Sequence, residues 1–150
     1  MKATPSGWPR FSSAIVYKDA AAAIDWLCDA FGFEVKIKVE GENGRIEHCE
    51  LTYGDGLIML AQENPNAERG WKQSLRSPQS LNGANTQSLM FFVDDAEAHC
   101  AEARARGARV VEELAVHDYG DEYWSDRSYC ALDPEGHAWW VTQRLRSPVA

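Results

Sequence analysis

The sequence predicts an α+β fold in which one βαβββ module occurs twice. The predicted order of elements in the N-terminal half, β-α-β-β-β, is repeated in the C-terminal half. The strand-to-helix boundary Tyr17-Lys18-Asp19 recurs as Val93-Asp94-Asp95, and the turn Gly54-Asp55-Gly56 recurs as Pro134-Glu135-Gly136. A supersecondary unit repeated in this way is typical of a protein with pseudo-twofold symmetry that arose by duplication.

The first module is predicted to span about residues 11–62. Asp19 is placed to cap a helix, because it precedes apolar residues spaced at i, i+3, i+4 and i+7, and Gly32 is placed to end that helix. The apolar residues are Ile24, Leu27, Cys28 and Phe31. Apolar and β-branched runs between turn residues predict four strands. These are Phe11–Tyr17, Phe33–Val39, Ile46–Tyr53 and Leu57–Gln62.

The second module is predicted to span about residues 86–143 of the same domain, after a polar loop at 63–85. Asp94 or Asp95 caps its helix, Gly107 ends it, and Ala96, Cys100 and Ala103 form its apolar stripe. The predicted strands are Gln87–Val93, Arg109–Glu113, Trp124–Leu132 and His137–Gln143, with an irregular segment at 114–123. A loop as long as 63–85 is usually functional or a spacer, and its Trp71 is expected to close over a pocket, to pack on a partner chain or merely to pin the loop.

Composition narrows the class of protein. The 150 residues are 45% hydrophobic and 25% charged, which is ordinary for a globular domain. A net charge of −8 argues against nucleic acids and anionic membranes as partners, and it fits either a cationic ligand or a solvated acidic surface. Four scattered cysteines without Cys-x-x-Cys spacing favour reduced thiols. No long apolar run or signal peptide is recognisable, so we expect a cytoplasmic protein.

Both modules resemble the vicinal oxygen chelate superfamily, which includes glyoxalase I, bleomycin-resistance proteins and extradiol dioxygenases. The resemblance is carried by Val16–Asp19, Phe31–Phe33, Gly54–Leu60, Phe92–Asp95, Arg106–Ala108 and the Asp133–His137 turn. Ile46–Leu51 and Tyr123–Arg127 are most similar to the glyoxalase and bleomycin-resistance branch. The resemblance implies that each module curls into a cupped half-barrel sheet, that the cup holds the site, and that two chains form a homodimer.

Metal enzymes of this superfamily place His or Glu on the first and last strands of each module. In this sequence the first-strand positions correspond to Ser12 and Ser88, and the last-strand positions to Met59 (or Leu60) and Trp140. None of these is an imidazole or a carboxylate, and Met prefers Cu(I) to Ni, Zn or Fe(II). The mapping therefore predicts that the protein has no metal site and no cofactor.

Strand alternation predicts which side chains face the cup. With Cys49 and Leu51 against the helix, His48 and Glu50 point to the other face, where they form an acid/base pair, a ligand anchor, an ordinary polar patch or a dimer contact. The same alternation places an aromatic and thioether wall on the cup, consisting of Met90, Phe92 and Trp140. Trp124 is placed to stack on a ligand and Arg127 to bind a carboxylate or Asp126, although a structural stack at the rim is an equal alternative. His137 is expected to be a structural donor and His99 to lie at the surface or at an interface.

Two functions fit these residues. The first is a metal-independent protein of the bleomycin-resistance type, which sequesters a small aromatic molecule that carries a positive charge in one version of the hypothesis. Its binding residues would be His48, Glu50, Met90, Phe92, Trp124, Arg127 and Trp140. The alternative is a glyoxalase-like lyase or isomerase that uses His48 and Glu50 for proton transfer, or a metal site in another register. The sequence shows no nucleophile elbow, phosphate-binding Gly-rich loop or His-Glu-x-x-His helix.

Overall fold

A computed structural model of the chain describes residues 1–148, and these residues divide into two compact units, one up to Ala84 and one from Asn85. Each unit contains a four-stranded sheet, with strand orders β1-β4-β3-β2 and β5-β8-β7-β6. The strands are β1 Ser13–Tyr17, β2 Glu34–Glu40, β3 Ile46–Tyr53, β4 Gly56–Gln62, β5 Ser88–Phe92, β6 Arg109–Asp118, β7 Ser125–Leu132 and β8 Ala138–Arg146. The helices are α1 Ala20–Phe31, α2 Gly70–Gln73 and α3 Ala96–Ala105. The predicted α+β fold of two βαβββ modules is confirmed.

In the first unit, β1 is parallel to β4, whereas β3 is antiparallel to both β4 and β2. The helix α1 begins and ends as predicted, because the Asp19 side chain accepts from the Ala22 N–H at 3.1 Å and Gly32 adopts φ 78°. Side chains of the helix and the sheet that meet in the core are fully buried. They include Tyr17, Leu27, Phe31, Leu51 and Leu60.

The second unit repeats this arrangement, with β5 parallel to β8 and β7 antiparallel to its two neighbours. Asp95, rather than Asp94, caps α3 by accepting from the N–H groups of Glu97 and Ala98. The stripe predicted for this helix is buried, and so are Tyr129, Trp139 and Val141 of the sheet.

The turn between β7 and β8 is organised by one buried carboxylate, that of Asp133. Its Oδ1 accepts from the backbone N–H groups of Glu135, Gly136 and His137 at 2.9–3.0 Å, and its Oδ2 accepts from Trp139 Nε1 at 3.0 Å. Four donors satisfy a charge that would otherwise be costly to bury. The loop therefore holds Trp139, the largest buried side chain of the unit, in a fixed position.

The structure differs from the predicted elements in the second unit. β6 continues to Asp118, so the first half of the segment predicted to be irregular is strand, and β8 continues to Arg146 rather than ending at Gln143. Long antiparallel partners extend each other, which local propensity could not show. Trp124 lies just before β7, which begins at Ser125.

The predicted loop at 63–85 contains α2 and a 3₁₀ turn at Pro78–Leu81. Glu63 anchors it, because its carboxylate accepts from Ser80 Oγ at 2.7 Å, the Ser77 N–H at 2.9 Å and Arg76 Nε at 3.1 Å. Burial alone would raise the pKa of Glu63, but these hydrogen bonds outweigh it and the pKa is lowered. Trp71 is 61% exposed in this loop, and the roles expected for it stay predictions. Across residues 1–148, every helix is too short or too polar to cross a bilayer.

Candidate functional site

On the first unit, the sheet face opposite α1 carries a row of directly paired residues. Ala14 pairs with Met59, Met59 with Glu50, and Glu50 with Ile37. Met59 therefore occupies the last-strand position of the row, whereas Leu60 pairs with Cys49 and is buried on the helix side. The predicted alternation of β3 is correct, with Glu50 on this face and Cys49 and Leu51 in the core.

Glu50 is the polar centre of this face, and both of its carboxylate oxygens are occupied. Oε1 lies 3.2 Å from His48 Nε2, so the predicted His-x-Glu pair does form. Oε2 accepts a 2.9 Å hydrogen bond from Nε1 of Trp8, a residue of the N-terminal arm. As a result Glu50 is only 8% exposed.

The arm residue Trp8 is held from its other side as well. Lys36 Nζ lies 3.5 Å from the centroid of the Trp8 ring and also donates to the Gly7 carbonyl. A cation over an indole ring is a favourable contact. The sequence analysis did not single out Trp8, because the only local signal was a large aromatic residue between two prolines.

On the second unit, the corresponding row is Met90 paired with Trp140, Trp140 with Cys130, and Cys130 with Glu112. Phe92 lies on the same face two residues beyond Met90. Met90 is 57% exposed and Phe92 47% exposed, whereas their neighbours on the helix side are buried or half-buried. The predicted aromatic and thioether wall of Met90, Phe92 and Trp140 therefore lies on one face.

The loop between β6 and β7 adds an aromatic corner next to this wall. Trp124 contacts the rings of Tyr119 and Tyr123 at centroid distances of 5.5 and 6.1 Å. Arg146 fixes the loop by donating to Asp118 Oδ1 and to backbone carbonyls of the loop, those of Gly120, Asp121 and Tyr123. The last strand thereby sets the position of Trp124.

Arg144 lies where the wall and the corner meet. Its guanidinium carbon is 5.2 Å from the centroid of Phe92 and 5.4 Å from that of Trp124. Its Nε donates to Oδ1 of Asp126 at 2.5 Å, and Asp126 is nearly buried. Sequence reasoning missed Arg144 because it ended the last strand at Gln143, although i, i+4 spacing from Trp140 would have placed it on this face.

Arg127 lies elsewhere. It pairs with Gln143 on the ladder, one residue out of phase with Asp126 and Arg144, and its Nη1 is 3.8 Å from the Glu97 carboxylate on α3. The structure thus brings Trp124 and Phe92 together with Arg144 rather than with Arg127. Of the other predicted residues, His48 and Glu50 belong to the first unit and Met90 and Trp140 to the second.

Two histidines outside these faces have structural partners. His137 is buried in the Asp133 turn, where its backbone N–H is a donor, as expected. His99 is half-buried, its Nδ1 is 2.7 Å from the hydroxyl of the buried Tyr129, and its ring meets that of Phe91.

The residues at the superfamily's metal positions do not fit a divalent metal. Ser12 Oγ donates to the Leu57 carbonyl at 2.6 Å, and Met59 and Trp140 offer a thioether and an indole. The neighbouring Glu50 carboxylate is already bound to Trp8 and His48. Within residues 1–148, no group of three or more His, Cys, Asp or Glu residues is placed to hold a metal ion.

Paired βαβββ units with the open face of each sheet opposite its helix define a glyoxalase-type fold. The sequence profile of the Glyoxalase/Bleomycin resistance protein/Dioxygenase superfamily matches residues 11–141, so the chain belongs to that superfamily. Among curated proteins, the uncharacterised Mb0911c of Mycobacterium bovis is 32% identical over 92% of this chain and 85% of its own length. The uncharacterised Rv0887c of Mycobacterium tuberculosis is also 32% identical, over 92% and 76%.

Solved structures agree with the fold. TioX from Micromonospora sp. ML1 is 27% identical with a TM-score of 0.66, over 91% of this chain and 99% of its own. A glyoxalase/bleomycin resistance protein/dioxygenase family enzyme from Burkholderia phytofirmans PsJN has a TM-score of 0.67 at 19% identity, over 89% and 97%. The second likeness concerns the fold alone.

Proposed function

We propose that this protein binds a small aromatic molecule on the open face of its second unit, without a metal and without making or breaking bonds. Such sequestration is the bleomycin-resistance type of function within the superfamily. The observation that carries the proposal is the wall formed by exposed Met90, exposed Phe92 and half-buried Trp140 beside Trp124. Aromatic residues exposed together and held in fixed positions are typical of ligand sites.

The energetics favour binding by stacking. Each aromatic pair contributes about 0.5–1.5 kcal/mol beyond the area that it buries, so a ligand that stacks on the exposed surface of Phe92 or Trp124 gains from that contact. Because Arg146 and the β6–β7 loop already fix Trp124, little side-chain entropy is lost when a ligand stacks on it.

The experiment is a titration of the protein with a panel of aromatic compounds, neutral and charged, followed by tryptophan fluorescence and calorimetry. We expect saturable binding that Trp124→Ala weakens by about tenfold, which corresponds to the loss of one well-placed aromatic contact. Trp71→Ala is the matched control, because Trp71 is also an exposed tryptophan but lies in the first unit. Equal effects of the two variants, or no saturable binding, would contradict the proposal.

A second candidate is a glyoxalase-like lyase or isomerase, which is favoured by the 3.2 Å contact between His48 and Glu50. Proton transfer by this pair requires Trp8 to leave Glu50 first, because Trp8 occupies the second carboxylate oxygen. Stoichiometric Ni, Zn or Fe in the purified protein, together with turnover abolished by His48→Gln, would favour this alternative over sequestration.

A cytoplasmic location and a homodimer belong to the same proposal. The homodimer is supported by three apolar side chains of β2, since Val35, Ile37 and Val39 are all more than one third exposed. Exposed apolar side chains grouped on one strand are typical of association surfaces. Sedimentation at several concentrations measures the mass, and a monomer at all of them would exclude the dimer.

A further inference from the structure

We infer that the aromatic ligand carries a carboxylate or a similar planar acid, and that Arg144 binds it. The inference rests on the proposed function, because it names the charge of the molecule that stacks at Phe92 and Trp124. The overall composition suggested a cationic ligand, whereas this inference assigns an acidic one. Arg144 is outside the set of binding residues that strand alternation predicted.

The first step concerns the unused donors of Arg144. Its Nε donates to Asp126, and its ring contacts are with Phe92 and Trp124. Among residues 1–148, Nη1 and Nη2 have no hydrogen-bond acceptor, although the side chain is only one third exposed. A guanidinium fixed at Nε, with its two outer nitrogens free, presents the fork that binds a carboxylate through two parallel hydrogen bonds.

A comparison with Arg146 shows that an arginine of the same strand can have both of its outer nitrogens engaged by the fold. Arg146 lies on the same strand, and both of its outer nitrogens donate to the 118–123 segment. The hydrogen-bond donors of Arg146 are therefore used within the protein. Arg144 has the same side chain, a similar exposure of about one third, and no such acceptors among the described residues.

The second step concerns why an acid fits better than a cation. A cationic ligand would have to take the place that the guanidinium holds between Phe92, Trp124 and Asp126, which means breaking the pair with a carboxylate that is 12% exposed. An acidic ligand adds to the fork and leaves every existing contact in place. Removing one partner of a buried ion pair is costly, so addition is favoured over exchange.

The third step concerns the net charge of −8. Charges that are exposed and distant are screened over about 8–10 Å at physiological ionic strength, whereas a direct hydrogen-bonded contact is not. The local arginine therefore decides which charge the site accepts, and the overall charge affects mainly the rate of encounter.

The test uses three probes that share one aromatic body and differ in charge, namely 2-naphthoate, 2-naphthalenemethanol and 2-naphthylmethylammonium. Calorimetry on the full-length protein gives the three dissociation constants. We expect 2-naphthoate to bind about tenfold more tightly than the alcohol, and the ammonium compound to bind no more tightly than the alcohol. Arg144→Gln is expected to remove the advantage of 2-naphthoate and to leave binding of the alcohol within about twofold.

Two further variants serve as controls for the effect of Arg144→Gln. Arg144→Gln leaves Asp126 without its partner, so the double variant Asp126→Asn/Arg144→Gln, which removes both charges, should show the same loss in a folded protein. Arg106→Gln, which removes an exposed arginine at the end of α3, is the matched control and should keep the preference for 2-naphthoate.

The outcomes separate this inference from the proposed function. Equal binding of all three probes keeps the aromatic site and overturns the acid. Tighter binding of the ammonium compound, or a preference for 2-naphthoate that survives in both Arg144 variants, also overturns the acid. The failure of all three probes to bind overturns the proposed function, and the inference with it.

Discussion

The two sheets have the same topology but opposite chemistry on their open faces. In the first unit the central row runs Ala14, Met59, Glu50 and Ile37, whereas the second has Met90, Trp140, Cys130 and Glu112 in the matching places. The first face is centred on a carboxylate covered by the chain's own Trp8, and the second is aromatic and open. The two units therefore share a framework and differ in the side chains on the open face of each sheet.

The largest effect is expected at the turns that join the last two strands of each unit. Asp133→Ala leaves four buried donors without their acceptor and should lower the free energy of unfolding by roughly 3–5 kcal/mol. In the corresponding turn of the first unit, Asp55 is exposed, so Asp55→Ala should change stability by less than about 0.5 kcal/mol. Urea unfolding measures both, and similar values would contradict the comparison.

The covered face of the first unit can be tested through Trp8. Trp8→Phe keeps a ring over Lys36 but removes the N–H donor to Glu50, and should cost about 1–2 kcal/mol, as expected for a hydrogen bond to a charged group. Hydrogen exchange of the N-terminal arm should rise in the same variant. Trp71→Phe is the control, and an equal loss there would show that Trp8 has no special role.

A smaller, pH-dependent effect is expected at Glu63, which anchors the loop that follows the first sheet. The pKa of Glu63 is lowered in the folded protein. Its contribution to stability is therefore present above the pKa of the unfolded chain, about 4.3, and is lost as the pH falls through the pKa of the folded protein. Glu63→Gln should therefore cost about 1 kcal/mol at pH 7 and progressively less in acid. Urea unfolding from pH 7 to pH 3 measures the difference, with the exposed Glu68→Gln as the control.

The smallest effect is expected at the buried thiols of Cys49 and Cys130. These two thiols behave alike, although the open faces of their sheets differ. Burial raises the pKa of Cys49 to about 11, and burial likewise raises the pKa of Cys130. Since the thiolate is the reactive form, both should react very slowly with iodoacetamide at pH 8 in the native protein. All four cysteines should react in guanidinium chloride, and rapid native labelling of Cys49 would contradict its burial.

The sequence predicted the framework well because the framework is locally encoded. Asp19 and Gly32 cap α1, and alternation places Glu50 and Trp140 on the open faces, as the structure confirms. Arg144 and Trp8 were missed for non-local reasons. The first depends on how far β7 extends β8, and the second on a hydrogen bond between residues 42 positions apart.

The parallel pairing of the outer strands also bears on how the chain folds. β1 can join its sheet only after β4 has been made, because β4 is its pairing partner, and the same holds for β5 and β8. Closing such long loops costs entropy before any contact repays it, so these pairings should form late and limit the folding rate. Each of these closures lies within one unit, so every strand of the first sheet has been synthesised once the chain extends past Ala84. The first sheet can therefore fold before the second during synthesis.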